Sequence, residues 1–139
     1  MMRSIFRLAV SVSALATLVA CGGDSGTGVR ASVAGTYQLS TVNGLPLPFT
    51  ETSTGVVVKI TAGQLVAQTD GSFSETITRS TTPPGGTTTT STTTTSGTYQ
   101  VGNQVIVFAY SGASTTVLGS LISGGLSIQN GSNSFEYMK

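Results

Sequence analysis

From Val33 onward the chain runs as a succession of short alternating or β-branched stretches cut by turn signals, and no helical period survives the glycines between them. GTYQLSTV, from Gly35 to Val42, puts Tyr37 and Leu39 on one face of a strand that Asn43-Gly44 ends. In Leu45-Pro46-Leu47-Pro48-Phe49 the prolines forbid a central strand and predict an edge or a crossing loop. TGVVVKIT predicts a strand showing Val56, Val58 and Ile60 to one side. A separate short strand, GQLVAQ, is turned by Asp70-Gly71 into SFSETITRS. Pro83-Pro84-Gly85-Gly86 then turns into a threonine-rich strand, Gly102-Asn103 closes it, and QVIVFAY is the most β-prone run of all. TTVLGSLIS, GLSIQ and SNSFEYMK complete the series, the last two joined at Asn130-Gly131. Eight or nine short strands at even spacing predict an all-β, antiparallel up-and-down meander that closes into a small barrel or packs as a sandwich. Closure would also remove exposed edges, which a chain with few charges must otherwise protect.

A word recurs within this pattern. GTYQ stands at Gly35 to Gln38 and again at Gly97 to Gln100, and the residues downstream of each copy also match. Gly63, Leu65, Gln68 and Asp70-Gly71 after the first align with Gly124, Leu126, Gln129 and Asn130-Gly131 after the second. Either every β-meander tends to read this way, or the chain holds two half-repeats of about four strands each; the common order and spacing favour the second. On that reading Tyr37 and Tyr99 hold matched interior places, ring inside and hydroxyl seeking a partner near a barrel end.

The first twenty residues obey a different logic. Arg3 and Arg7 make a positive start, and the apolar run from Leu8 to Ala20 is too short for a membrane-spanning helix, which takes about 20 residues. Leu18-Val19-Ala20-Cys21 resembles a bacterial lipobox. The resemblance implies cleavage before Cys21, then a diacylglycerol and an N-acyl chain, such as palmitate, on that residue. Such acylation holds a protein to a membrane, since each buried methylene contributes ~0.8 kcal/mol. In resembling lipoproteins an aspartate directly after the cysteine retains the protein in the inner membrane; Gly22 stands here, so the outer membrane is expected. The expected organisation is a signal peptide (1–20), the lipidated cysteine with a flexible tether (21–32), and one domain (33–139). Cys21 is the only cysteine, so no disulfide supports that domain.

The stretches GTYQLSTVNGLPLP, ITAGQLVAQTDGSFSETITR, SGTYQVGNQVIVF and GGLSIQNGSNSFEYMK, together covering much of Gly35 to Lys139, resemble the small lipocalin-like (calycin-type) domain of many bacterial lipoproteins. The resemblance implies an eight-stranded antiparallel barrel. A long threonine tract and the lack of any tryptophan depart from the family's pattern and argue against a large, lipocalin-sized cavity.

Chemistry has little to work with. The chain has no histidine, and past the signal its four cations (Arg30, Lys59, Arg79, Lys139) and five carboxylates (Asp24, Glu51, Asp70, Glu75, Glu136) form no basic footprint for nucleic acid. With no imidazole and no free thiol, neither a catalytic residue, a metal centre nor a cofactor is expected. Asp70 is claimed by its turn and Glu51 falls in an irregular segment. SFSETITRS is the exception, because alternation puts Phe73, Glu75, Ile77 and Arg79 on one face. If that face points inward, Glu75 is an inward carboxylate and Arg79 reaches a barrel mouth. The plainer reading, and the favoured one, is that a bulge near Ser74 resets the alternation or that the interior there is wet. The tract TTTTSTTTTS, from Thr87 to Ser96, has identical faces and a weakly set register, and with residues 72–82 it predicts a long, solvated hairpin. A threonine ladder that binds ice needs several stacked strands, and the tract supplies one.

Two functions remain. One is non-catalytic binding of a small, mostly apolar ligand in the barrel interior, lined by Tyr37, Phe73, Tyr99 and, if it points inward, Glu75, which predicts an open interior cavity of ~300 Å³ or more. The alternative is a structural or protein-interaction module of the envelope, working through the outer face and the hairpin of residues 81–96.

Overall fold

The computed structural model describes residues 33–139 apart from Gln104. The expected signal peptide, the acylated Cys21 and the tether all lie outside the described residues.

Among the described residues ten antiparallel strands occur in order: β1 (Gly35–Val42), β2 (Leu45–Pro46), β3 (Phe49–Ser53), β4 (Val56–Ala67), β5 (Ser72–Thr82), β6 (Thr89–Gly102), β7 (Val105–Tyr110), β8 (Thr116–Ile122), β9 (Gly125–Asn130) and β10 (Asn133–Met138). β4 to β10 form a continuous meander. β10 then pairs with β1, and β1 with β4, which closes an eight-stranded barrel and leaves β2 and β3 as additional strands. The two GTYQ words therefore divide the barrel into three strands (β1, β4, β5) and five (β6 to β10) rather than four and four. The reason is the excursion through β2 and β3, which takes up chain length without entering the barrel. The word itself keeps one local meaning. Tyr37 and Tyr99 are buried to 2% and 1% exposure, and each hydroxyl donates to a backbone carbonyl, that of Val33 or of Gln68.

The turns obey their residues. Asn43 adopts a positive φ of 53°, as a two-residue hairpin between Val42 and Leu45 requires, and Asp70 accepts the Ser72 amide at 2.8 Å. The proline-rich segment after β1 supplies β2, paired only with β1, as edge placement demands. TGVVVKIT and GQLVAQ are one twelve-residue strand rather than two. A bulge between Ile60 and Ala62 shifts the alternation, so Ile60 faces inward before it and Leu65 and Ala67 after it. Gly63 is needed there, since a Cβ would come within 2.9 Å of both Leu39 and Ile77. Glu51, expected in irregular chain, lies in β3, where its carboxylate accepts from Asn133 at 3.0 Å.

Strand direction gives the barrel two ends. Tyr37, Tyr99, Ile106 and Leu126 pack toward a floor, near the start of β1 and the end of β4. Ile77, Arg79, Tyr110 and Val117 lie toward a mouth. On the mouth side β4 exchanges β1 for β3, and β6 has β5 as its partner from Thr89 to Ser96 before β7 joins at Gly97. The outer parts of β3, β4, β5 and β6 thus continue past the point of closure as a four-stranded extension. At its tip a Cβ on Gly55 would lie 3.1 Å from Pro84, so the two hairpin turns touch.

Candidate functional site

β5 carries Phe73, Glu75, Ile77 and Arg79 into the interior on strict alternation. Ser74 pairs with Val66 and Glu75 with Leu65 in unbroken register, so the carboxylate points inward and the bulge near Ser74, one of the two forms of the plainer reading, is absent. The shift lies across the ladder in β4, where the sequence shows no sign of it.

Glu75 is 8% exposed, and among the described residues it is the only charged side chain in the buried set. Each of its oxygens receives a tyrosine hydroxyl. Tyr137, from β10 across the barrel, donates to Oε1 at 2.5 Å, and Tyr110, from β7, donates to Oε2 at 2.8 Å. The carboxylate is a clamp between three strands that are not neighbours. Burial first, and then the charge and hydrogen bond of Glu75, push both tyrosine hydroxyls well above the ordinary phenol range; Arg79 acts weakly the other way on Tyr137. Both hydroxyls are thereby favoured as protonated donors to Glu75.

Beneath the clamp the interior is filled with aromatic rings. Phe73 meets Phe108 and Tyr110 edge-on, each at 5.0 Å between centroids, and Phe108 lies 6.3 Å from Tyr99 near the floor. Gly97 makes this possible, because a Cβ there would lie 2.0 Å from the Ala109 carbonyl oxygen and 2.9 Å from the Phe73 ring.

Above the clamp the barrel opens into a pocket of about 280 Å³. Ile77 and Val117 give it apolar walls, Thr93 and Thr95 of β6 and Thr115 of the β7–β8 loop give hydroxyls, and Glu75 and Tyr110 form its base. Arg79 stands on the wall, and among the described residues no hydrogen bond or ion pair engages its guanidinium.

Of the four residues expected to line a ligand site, Glu75 reaches this pocket. Phe73 lies one layer below it, and Tyr99 lower still. Tyr37 borders a separate hollow of about 300 Å³ at the floor, with Leu121 and Lys139, whose ammonium stands 5.1 Å from the tyrosine ring centroid. Tyr110, Val117 and the threonines of β6 were not anticipated. Alternation in QVIVFAY does put Ile106, Phe108 and Tyr110 on one face, but that Tyr110 meets Glu75 results only from closure. Among the described residues no three histidine, cysteine, aspartate or glutamate side chains gather as a metal site would need. With both oxygens taken by fixed donors, Glu75 has the geometry of a structural acceptor rather than of a general base.

No family model matches the chain, and no curated protein or solved structure matches it, so the barrel stands on its own strand pairing.

Proposed function

We propose that the chain is a membrane-anchored lipoprotein of the bacterial cell envelope, held by acyl chains on Cys21 with the outer membrane as its site, whose lipocalin-like barrel binds a small ligand without catalysis. The pocket above Glu75 carries this reading. It combines apolar walls, a few convergent polar groups and a rigid base, the usual composition of a ligand site, and its volume of about 280 Å³, just under the ~300 Å³ lower end for such sites, restricts it to a small molecule. The unengaged guanidinium of Arg79 selects, within that class, a ligand with an apolar body and an acidic group. The aromatic filling beneath the clamp confines binding to the mouth.

Benzoate and benzyl alcohol, equal in size and different in charge, are suitable probes for the chain held in lipid nanodiscs. Both should shift the nuclear magnetic resonance signals of Ile77, Thr95 and Val117 and leave those of Leu126 and Ile106 unmoved. Arg79→Gln should weaken benzoate about tenfold, or ~1.4 kcal/mol, and leave benzyl alcohol unchanged. If neither compound moves the mouth signals, the pocket is not a binding site.

A second reading, a structural or protein-interaction module of the envelope, is favoured by one observation: residues Thr89 to Ser96 of β6 are exposed, with a strand partner on one side.

A further inference from the structure

We propose that two copies of this chain join edge to edge through β6, antiparallel about a two-fold axis at Ser91. The register leaves the outer half of β6 open. It pairs with β5 from Thr89, opposite Thr81, to Thr98, opposite Ser72, but β7 reaches β6 only from Gly97, and the last bond on that side is from the Ser111 amide to the Ser96 carbonyl. From Thr89 to Thr95, therefore, the backbone groups that point away from β5 have no strand to meet among the described residues, and every one of these residues is exposed.

Sheet edges left open in this way are normally blunted by a charge, a proline, a bulge or brevity. The opposite edge of the extension has such protection: β3 is five residues long, comes after Pro48 and carries Glu51. The β6 edge has none. Thr87 to Ser96 contains only threonine and serine, and its ladder with β5 runs without a register shift. The strand is also held in place for pairing. Hydroxyl bonds between Thr76 and Thr94 (3.0 Å), Thr78 and Thr92 (3.1 Å), and Thr82 and Thr88 (2.7 Å) tie its outer face to β5.

The sequence of the edge selects the occupant. Thr87 to Thr95 reads TTTTSTTTT, the same in both directions about Ser91. An isologous antiparallel contact sets each residue against its counterpart through the axis, so Ser91 meets Ser91, Thr90 meets Thr92 and Thr89 meets Thr93, with like against like at every place. Threonine pairs across strands are favourable, and a neutral edge brings no repulsion between copies. About that axis β6 contributes Thr89 to Thr93, five residues that span ~16 Å at ~3.3 Å per residue, while Thr94 and Thr95 face Thr88 and Thr87 just before the strand. That contact is smaller than the ~1,200 Å² of a standard stable interface, so the dimer should be reversible. Thr93 and Thr95 also line the mouth pocket, which places the second copy beside the ligand site.

The full chain in its own membrane provides the test. With Cys21 acylated, Ser91→Cys supplies a single thiol, and residues directly opposed in an antiparallel pair stand ~4.5–5.5 Å apart at Cα, within disulfide range. Mild oxidation should give a species of twice the chain mass, whereas Ser120→Cys, on the exposed face of β8, should give only background. Lysines at Thr90 and Thr92 would face each other across the axis and should cut the dimer about tenfold without altering the circular dichroism spectrum. Wild-type chain should sediment as a concentration-dependent mixture of monomer and dimer. Crosslinking of Ser91→Cys no better than of Ser120→Cys, an adduct to a different protein, or wild-type chain that sediments as a monomer at every concentration would each overturn the proposal.

Discussion

Each oxygen of Glu75 is met by one tyrosine hydroxyl, and the consequence shows at alkaline pH. A tyrosine in the unfolded chain ionises near its ordinary value of 10.0, whereas burial, and then Glu75, hold the folded Tyr137 protonated far beyond it. Below pH 10.0 the two states bind the same proton and this contribution to stability is intact; above it the unfolded state loses a proton that the folded state keeps, so stability falls as pH rises. The loss is about 1.4 kcal/mol per pH unit for each such group. Urea unfolding monitored across pH 9–11, about one unit either side of the phenol value, should show this decline. Tyr137→Phe should remove one group from the slope while lowering stability at neutral pH by about 1–3 kcal/mol, because Glu75 loses a donor. A slope unchanged in the variant would contradict the clamp. Alternation made it legible that Glu75 and Arg79 share one face, but not that the face points inward, because a single bulge would have turned the carboxylate out. Tyr110 and Tyr137 were not legible as its partners, because they sit 35 and 62 residues away and meet it only across the closed barrel.

Among the elements, β6 is two strands in one. Its inner half, from Gly97, pairs with β7, has β5 alongside at Gly97 and Thr98, and packs Tyr99 at the floor, while its outer half has β5 alone. Substitutions should divide at that boundary. Gly97→Val would drive side-chain atoms into the Ala109 carbonyl and the Phe73 ring and should cost about 3 kcal/mol or more. Replacing residues 82–88 with Asn-Gly would rejoin Thr81 to its directly opposed partner Thr89 through a two-residue turn and should change stability by less than about 1 kcal/mol. Thermal unfolding distinguishes the two, and equal losses would mean that the extension is part of the cooperative barrel. The turns were legible in Asn43-Gly44 and Asp70-Gly71, where residue type dictates backbone shape. The continuity of β4 was not: a bulge at Thr61 lets one strand change faces, and to an alternation pattern that looks like two strands.

For the whole molecule, the even spacing of short strands already pointed to an antiparallel meander that closes into a small barrel or packs as a sandwich, and the rarity of charge favoured closure, because an open sheet of this composition would expose edges it cannot guard. What spacing could not show is where closure stops. The barrel ends at the mouth while β3 to β6 run on, and this difference in strand length creates both the pocket and the open β6 edge. On the proposed function, a lipid on Cys21 and a small molecule at the mouth belong to the same protein. Native mass spectrometry of the chain released from its own membrane tests both parts at once. The predicted spectrum shows the chain from Cys21 carrying its acyl groups, with a small acidic molecule retained by wild type and lost on Arg79→Gln. An unacylated chain, or an acylated one that retains nothing at the mouth, would contradict the account.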